Sequence, residues 1–138
     1  MTSFLRLVLL APLLLCGCVP FPNEHSFAPA VSGVVMRDGS PVAGATVTVS
    51  AQFSHEIRIA TTDQEGRFAT EAIREWRMTA LLYGDPLFGY TVQISANGTN
   101  YAGYSLLGMG TAPLAVRLNC DVTKPVVLAR TQIYCNAS

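Results

Sequence analysis

Ala45-Thr46-Val47-Thr48-Val49-Ser50-Ala51 alternates without a break. Ala45, Val47, Val49 and Ala51 share one side, and Thr46, Thr48 and Ser50 the other. A period of two belongs to an extended strand, whose successive side chains leave opposite faces. One apolar face and one hydroxyl face predict a half-buried antiparallel strand. Upstream, Val31-Ser32-Gly33-Val34-Val35-Met36 reads as a preceding strand. Arg37-Asp38-Gly39-Ser40-Pro41 reads as the turn after it, because Asp-Gly supplies positive φ. Downstream, Glu56 to Thr62 alternates again, with Ile57 and Ile59 expected inward. Asp63-Gln64-Glu65-Gly66 predicts a second tight turn, with Arg67-Phe68-Ala69 opening the next strand.

The pattern continues to the C-terminus. Trp76, Met78, Ala80 and Leu82 predict one face of a further strand; two helical turns over Glu71 to Met78 are the weaker alternative. Gly84-Asp85-Pro86 breaks the run. Tyr90, Val92, Ile94 and Ala96 alternate with Thr91, Gln93 and Ser95, and Asn97-Gly98 follows. A second strand through Tyr101 and Tyr104 completes the strongest hairpin signal in the chain. Leu114, Val116 and Leu118 alternate ahead of Cys120, and short apolar runs at Val126–Leu128 and Ile133 end the chain. No stretch supports a helix of ten residues. Short strands with regular turns predict an all-β protein, an antiparallel β-sandwich occupying residues 30–138.

The N-terminus is different. Arg6 precedes a short aliphatic run from Leu7 to Leu15, and small residues follow. That is the plan of a signal peptide over residues 1–17. The run is too short for a membrane span, which needs about 20 apolar residues, and Pro12 interrupts it. Leu15-Cys16-Gly17-Cys18 resembles the bacterial lipobox, with a branched apolar residue three before the cysteine and a small one just before it. The resemblance implies that the Cys18 thiol takes a diacylglyceryl group. Cleavage then leaves Cys18 as the first residue, with an acyl chain on its amine. Two or more chains anchor a protein stably. An ordinary signal peptide with incidental cysteines is the alternative. Val19, not Asp, follows Cys18, which in a Gram-negative cell directs a lipoprotein to the outer membrane. Residues 18–29 hold three prolines and no periodicity, and predict a lipidated tether with His25 solvated.

Composition excludes several function classes. The chain has 138 residues, 50% apolar and 13% charged, with 9 basic against 9 acidic side chains. Soluble domains carry roughly 25% charged residues. The length suits one domain. A neutral balance leaves no basic footprint, so nucleic acid is not an expected partner. Cys16 leaves with the leader, and Cys120 and Cys135 remain as an even pair in an exported chain. A disulfide between them is expected, worth about 3 kcal/mol in the chain-entropy picture. A metal or redox site there lacks Cys-x-x-Cys spacing and a nearby histidine.

Catalytic constellations are missing from the sequence. His55 has no partner histidine outside the tether, and Asp85 is a lone carboxylate in a turn. Asp63 to Gly66 lacks the spaced carboxylates of a calcium loop. There is no Gly-x-Ser-x-Gly and no phosphate loop. No catalytic residue, cofactor or metal is expected. Asn97-Gly98-Thr99 and Asn136-Ala137-Ser138 match the glycosylation sequon, which is incidental in a bacterial lipoprotein. Trp76, Tyr83, Phe88, Tyr90, Tyr101 and Tyr104 cluster in the second half. They read first as core. Exposed beside the glycine-rich loop Leu106-Leu107-Gly108-Met109-Gly110, they would form a partner surface.

Residues 32–68 resemble the carboxypeptidase regulatory-like domain. The likeness is carried by Ser32-Gly33-Val34-Val35, by Asp38-Gly39-Ser40-Pro41-Val42-Ala43-Gly44-Ala45-Thr46-Val47-Thr48-Val49, and by Thr62-Asp63-Gln64-Glu65-Gly66-Arg67-Phe68. It implies a prealbumin (transthyretin-like) sandwich of about seven strands. Beyond Ala69 the pattern departs, which implies an elaborated C-terminal half. The family serves as accessory or interaction modules, and the matched positions are structural. Hydroxyisourate hydrolases share that fold, but their histidine-rich site and C-terminal Tyr-Arg-Gly-Ser motif are absent. The expectation is a lipid-anchored, non-catalytic periplasmic module that binds a protein or envelope component. A secretion-system accessory or immunity lipoprotein is the alternative, and a small-molecule-binding or hydrolytic protein a more distant one.

Overall fold

The computed structural model describes residues 20–79, 84–128 and 130–138. The expected leader, Cys18, Ala80, Leu82 and Tyr83 lie outside the described residues. Inside them the structure is all-β. The first strands are β1 (Phe21–Ala28), β2 (Ala30–Arg37), β3 (Ser40–Pro41), β4 (Thr46–Ala51) and β5 (Ile57–Thr61). Next come β6 (Arg67–Thr70), β7 (Ile73–Thr79), β8 (Leu87–Ala96) and β9 (Thr99–Met109). β10 (Ala115–Asp121), β11 (Val126–Leu128), β12 (Thr131–Ile133) and β13 (Cys135–Ala137) follow.

Two sheets enclose the core. One runs β5-β4-β8-β9; the other runs β13-β10-β2-β3, with β6 also on β2. Val47, Val49, Tyr90, Val92 and Ile94 meet Val31, Val35, Phe68 and Leu118 in one buried cluster. That is the layering of a β-sandwich. The alternation in β4 holds: Val47, Val49 and Ala51 are buried, and Thr46, Thr48 and Ser50 are half-buried on the other face. Asn97 and Gly98 take φ of 52° and 75° between paired Ala96 and Thr99, the two-residue turn that matches strand twist. Asp63 closes its own turn, its Oδ1 accepting from the amides of Glu65 at 3.0 Å and Arg67 at 2.7 Å.

Four expectations need correction. The stretch 18–29 is not a tether over its second half: Phe21–Ala28 is a strand, paired antiparallel with β7 and followed by a buried Pro29. Pro22, the one proline within β1, is tolerated because β1 is in a two-stranded ribbon, where one side needs no ladder donor. His25 is buried there rather than solvated. Ile57 and Ile59 face outward, half or more exposed, because Ile59 pairs with Thr48 and Ile57 with Ser50 on the hydroxyl face. Register fixes the face of a strand, and a one-residue slip would reverse it. Trp76 and Met78 lie on the outward face of β7, while Ile73 is fully buried. The antiparallel sandwich is as expected, with one parallel pair in it, β10 beside β2. A long connection through the other sheet separates them, so no hairpin constrains their direction.

The aromatic question divides. Phe88 and Tyr90 are buried, Tyr101 and Tyr104 pack partly buried against the core, and Trp76 is exposed. Leu106 to Met109 belong to β9 and not to a loop.

Candidate functional site

The outer face of the five-stranded sheet holds a groove of about 400 Å³. Strand pairing builds it. Arg67 on β6, Val34 on β2 and Asn119 on β10 form one cross-strand row. Ala69, Ser32 and Arg117 form the next. Phe68 and Leu118 point into the core, so their neighbours Arg67 and Arg117 point out, and both are exposed. Strand spacing places the two arginine Cα atoms about 12 Å apart. Neither has a carboxylate within ion-pair distance among the described residues, whereas Arg58, Arg74 and Arg77 do.

Close approach of backbones makes the floor. A Cβ at Gly33 would lie 2.1 Å from the Leu118 carbonyl oxygen and 3.1 Å from the Phe68 ring. Only glycine lets β10 and β6 close on both sides of β2. One edge of the groove is pinned by Cys120 and Cys135, which oppose each other across β10 and β13 with sulfurs 2.01 Å apart. The expected cysteine pair is thus at disulfide distance. Asn119 and Asn136 form the adjacent row.

A second polar group joins the β1–β7 ribbon to the rest. His25 opposes Glu75 in the ladder. Glu75 accepts from the Ser54 hydroxyl, and from Arg77 Nη2 at 3.0 Å. Those two bonds, in that order, hold its carboxyl below the usual carboxylate range. Arg77 also donates to the Phe53 carbonyl at 3.1 Å and lies 4.7 Å over the Phe27 ring. His25 Nε2 is buried with no hydrogen-bond partner among the described residues. The arrangement locks the ribbon to the segment between β4 and β5. It has no histidine–nucleophile bond, which nucleophilic catalysis would use.

The singled-out residues are scattered. His55 and Asp85 are exposed, and His55 lies just before β5. Among the described residues no three histidine, cysteine or acidic side chains are grouped to hold a metal ion. The arginine groove was not foreseen. Arg67 and Arg117 are fifty positions apart, and only their shared pairing to β2 unites them. The one local signal was their place beside the inward Phe68 and Leu118.

Fold and groove together define an all-β, sandwich-layered domain with an unneutralised cationic face. The chain belongs to a family described as a domain of unknown function (DUF6795), whose model matches residues 31–125. The match leaves β1 and β11 to β13 outside, Cys135 among them. No curated protein matches the chain.

Proposed function

We propose that this protein is a lipid-anchored, non-catalytic module of the bacterial envelope. In this reading the outer face of its five-stranded sheet binds a protein or envelope component that carries carboxylate or phosphate groups. The observation that carries it is the groove between Arg67 and Arg117, whose charges no carboxylate among the described residues neutralises. A guanidinium presents a planar fork of donors suited to both oxyanions. The lipobox-like Leu15-Cys16-Gly17-Cys18 supports anchoring and export. The likeness of residues 32–68 to carboxypeptidase regulatory-like domains supports an accessory role.

A photo-crosslinking residue at Val34 in intact cells tests the binding surface. A defined adduct is expected that disappears with Arg67→Ser/Arg117→Ser and is not made from Ile59. An adduct insensitive to both arginines, or equal from both positions, refutes it. Digestion of the adduct with protease or with glycan hydrolase distinguishes a protein from an envelope polymer. Cys18→Ala should move the protein from the membrane to the soluble fraction; retention on the membrane refutes the anchor.

A further inference from the structure

We propose that the outer face of the β1–β7 ribbon rests on the bilayer, with Trp76 and Met78 at its interfacial level. This rests on the reading of Cys18 as the lipid-bearing residue. Phe21 opens β1 only three positions after Cys18. Three residues span about 10 Å at full extension. The ribbon therefore begins next to the acyl chains, and the anchor brings its near end to the membrane whatever else the domain does.

That near end is apolar. Directly opposed residues of an antiparallel ladder share a face. Pro22 opposes Met78, Glu24 opposes Trp76, and Ser26 opposes Arg74. Met78 is 65% exposed and Trp76 72% exposed. Phe21, at the tip, is 39% exposed but lies on the opposite face, with Asn23 and Arg77. Polarity rises away from the anchor, where Arg74 meets Glu24 at 3.8 Å. Met78 and Arg74 are about 13 Å apart along the strand. So this face is apolar at Pro22 and Met78, mixed where Trp76 faces Glu24, and charged at Arg74. Tryptophan is favoured at the membrane–water interface, where its ring is half wet and half apolar.

The ribbon cannot turn this face inward. Its other face carries His25, Glu75 and Arg77, held to Phe53, Ser54 and Phe27. Those bonds fix Trp76 and Met78 on the outside. Among possible occupants, the bilayer is the one that the position of the anchor delivers without a further partner.

Trp76 is the chain's one tryptophan, so its fluorescence reports this face alone. Full-length lipoprotein is purified from membranes and reconstituted into phosphatidylethanolamine–phosphatidylglycerol vesicles. Relative to Cys18→Ala in buffer, emission should shift to the blue. Access to acrylamide should fall about twofold or more, as expected for an interfacial ring. Vesicles with brominated acyl chains should quench it. Trp76→Phe/Ile59→Trp moves the reporter off the ribbon to the exposed face of β5, and quenching should fall. Protein that floats with vesicles while Trp76 stays as accessible as in buffer overturns the inference and leaves the anchor intact. A blue shift without lipid quenching means that protein covers the face, which also overturns it. Protein that carries no lipid and does not float defeats the anchoring reading itself.

Discussion

Tyr90→Phe should make this domain more stable. Tyr90 is fully buried, and its Oη has no hydrogen-bond partner among the described residues. Burying a hydroxyl without a partner costs about 1–3 kcal/mol. Phenylalanine keeps the ring and its contacts with the core around Tyr104, whose ring centroid is 6.1 Å away. The void left by one oxygen is small, and at about 24 cal/mol per Å³ it returns only a few tenths of a kcal/mol. The net gain is therefore about 1–2 kcal/mol. In urea, with m of about 1–3 kcal/mol/M for small proteins, the midpoint should rise by about 0.5–1 M. The slope should not change. Circular dichroism on the oxidised protein measures it.

A second readout follows from acidity. Burial, with a smaller contribution from Tyr104, pushes the Tyr90 phenol up to about 12. An unfolded tyrosine ionises near 10. The folded state thus holds its proton longer than the unfolded state. The associated stability is complete below pH 10 and is lost as pH rises toward 12. Tyr90→Phe should remove that loss, so the two stability curves diverge above pH 10. A variant less stable by more than about 1 kcal/mol would show that the hydroxyl has a partner worth about that much. That result, or unchanged alkaline behaviour, refutes the reasoning.

Other substitutions test the frame of the groove and the core. Gly33→Ala sets a methyl against the Leu118 carbonyl in a strand bounded on both sides, and should cost about 2–3 kcal/mol in urea unfolding. Thr62→Val removes a buried hydroxyl that accepts from the Ala45 amide at 2.8 Å and donates to the Val42 carbonyl at 2.6 Å. Both orphaned groups predict a loss of about 1–3 kcal/mol, while Thr62→Ser should recover most of it. The Cys120–Cys135 pair spans 15 positions, so reduction should cost about 3 kcal/mol. The unreduced protein should gain two hydrogens in mass on reduction, and no mass change would refute the bond.

Local signals were legible where short-range physics decides the outcome. Asn97-Gly98 announced a hairpin because positive φ at two successive positions is a property of those residues. Val47 and Val49 announced a core face because their alternation matched the pleat. The same alternation in β5 did not say which face was inner. Ile57 and Ile59 look like core residues, yet pairing with β4 turns them out and leaves Ala60 opposite Val47. At a sheet edge the inner positions touch little of the core, so a small residue suffices. β1 was illegible for another reason. Pro20, Pro22 and Pro29 in and around it argue against a strand, and its ladder partner among the described residues, β7, lies about fifty residues later.

The class of the fold, the turns and the cysteine pair follow from residue chemistry and a period of two, and are legible along the chain. It also carries the lipobox-like start, which is a purely linear pattern. Three-dimensional packing set the rest. It set Arg67 and Arg117 on one sheet face, Glu75 opposite His25, and Trp76 on an outward face of β7. Each of these depends on the register between strands distant in sequence. Register is set by long-range packing across the whole sandwich, which no local window contains.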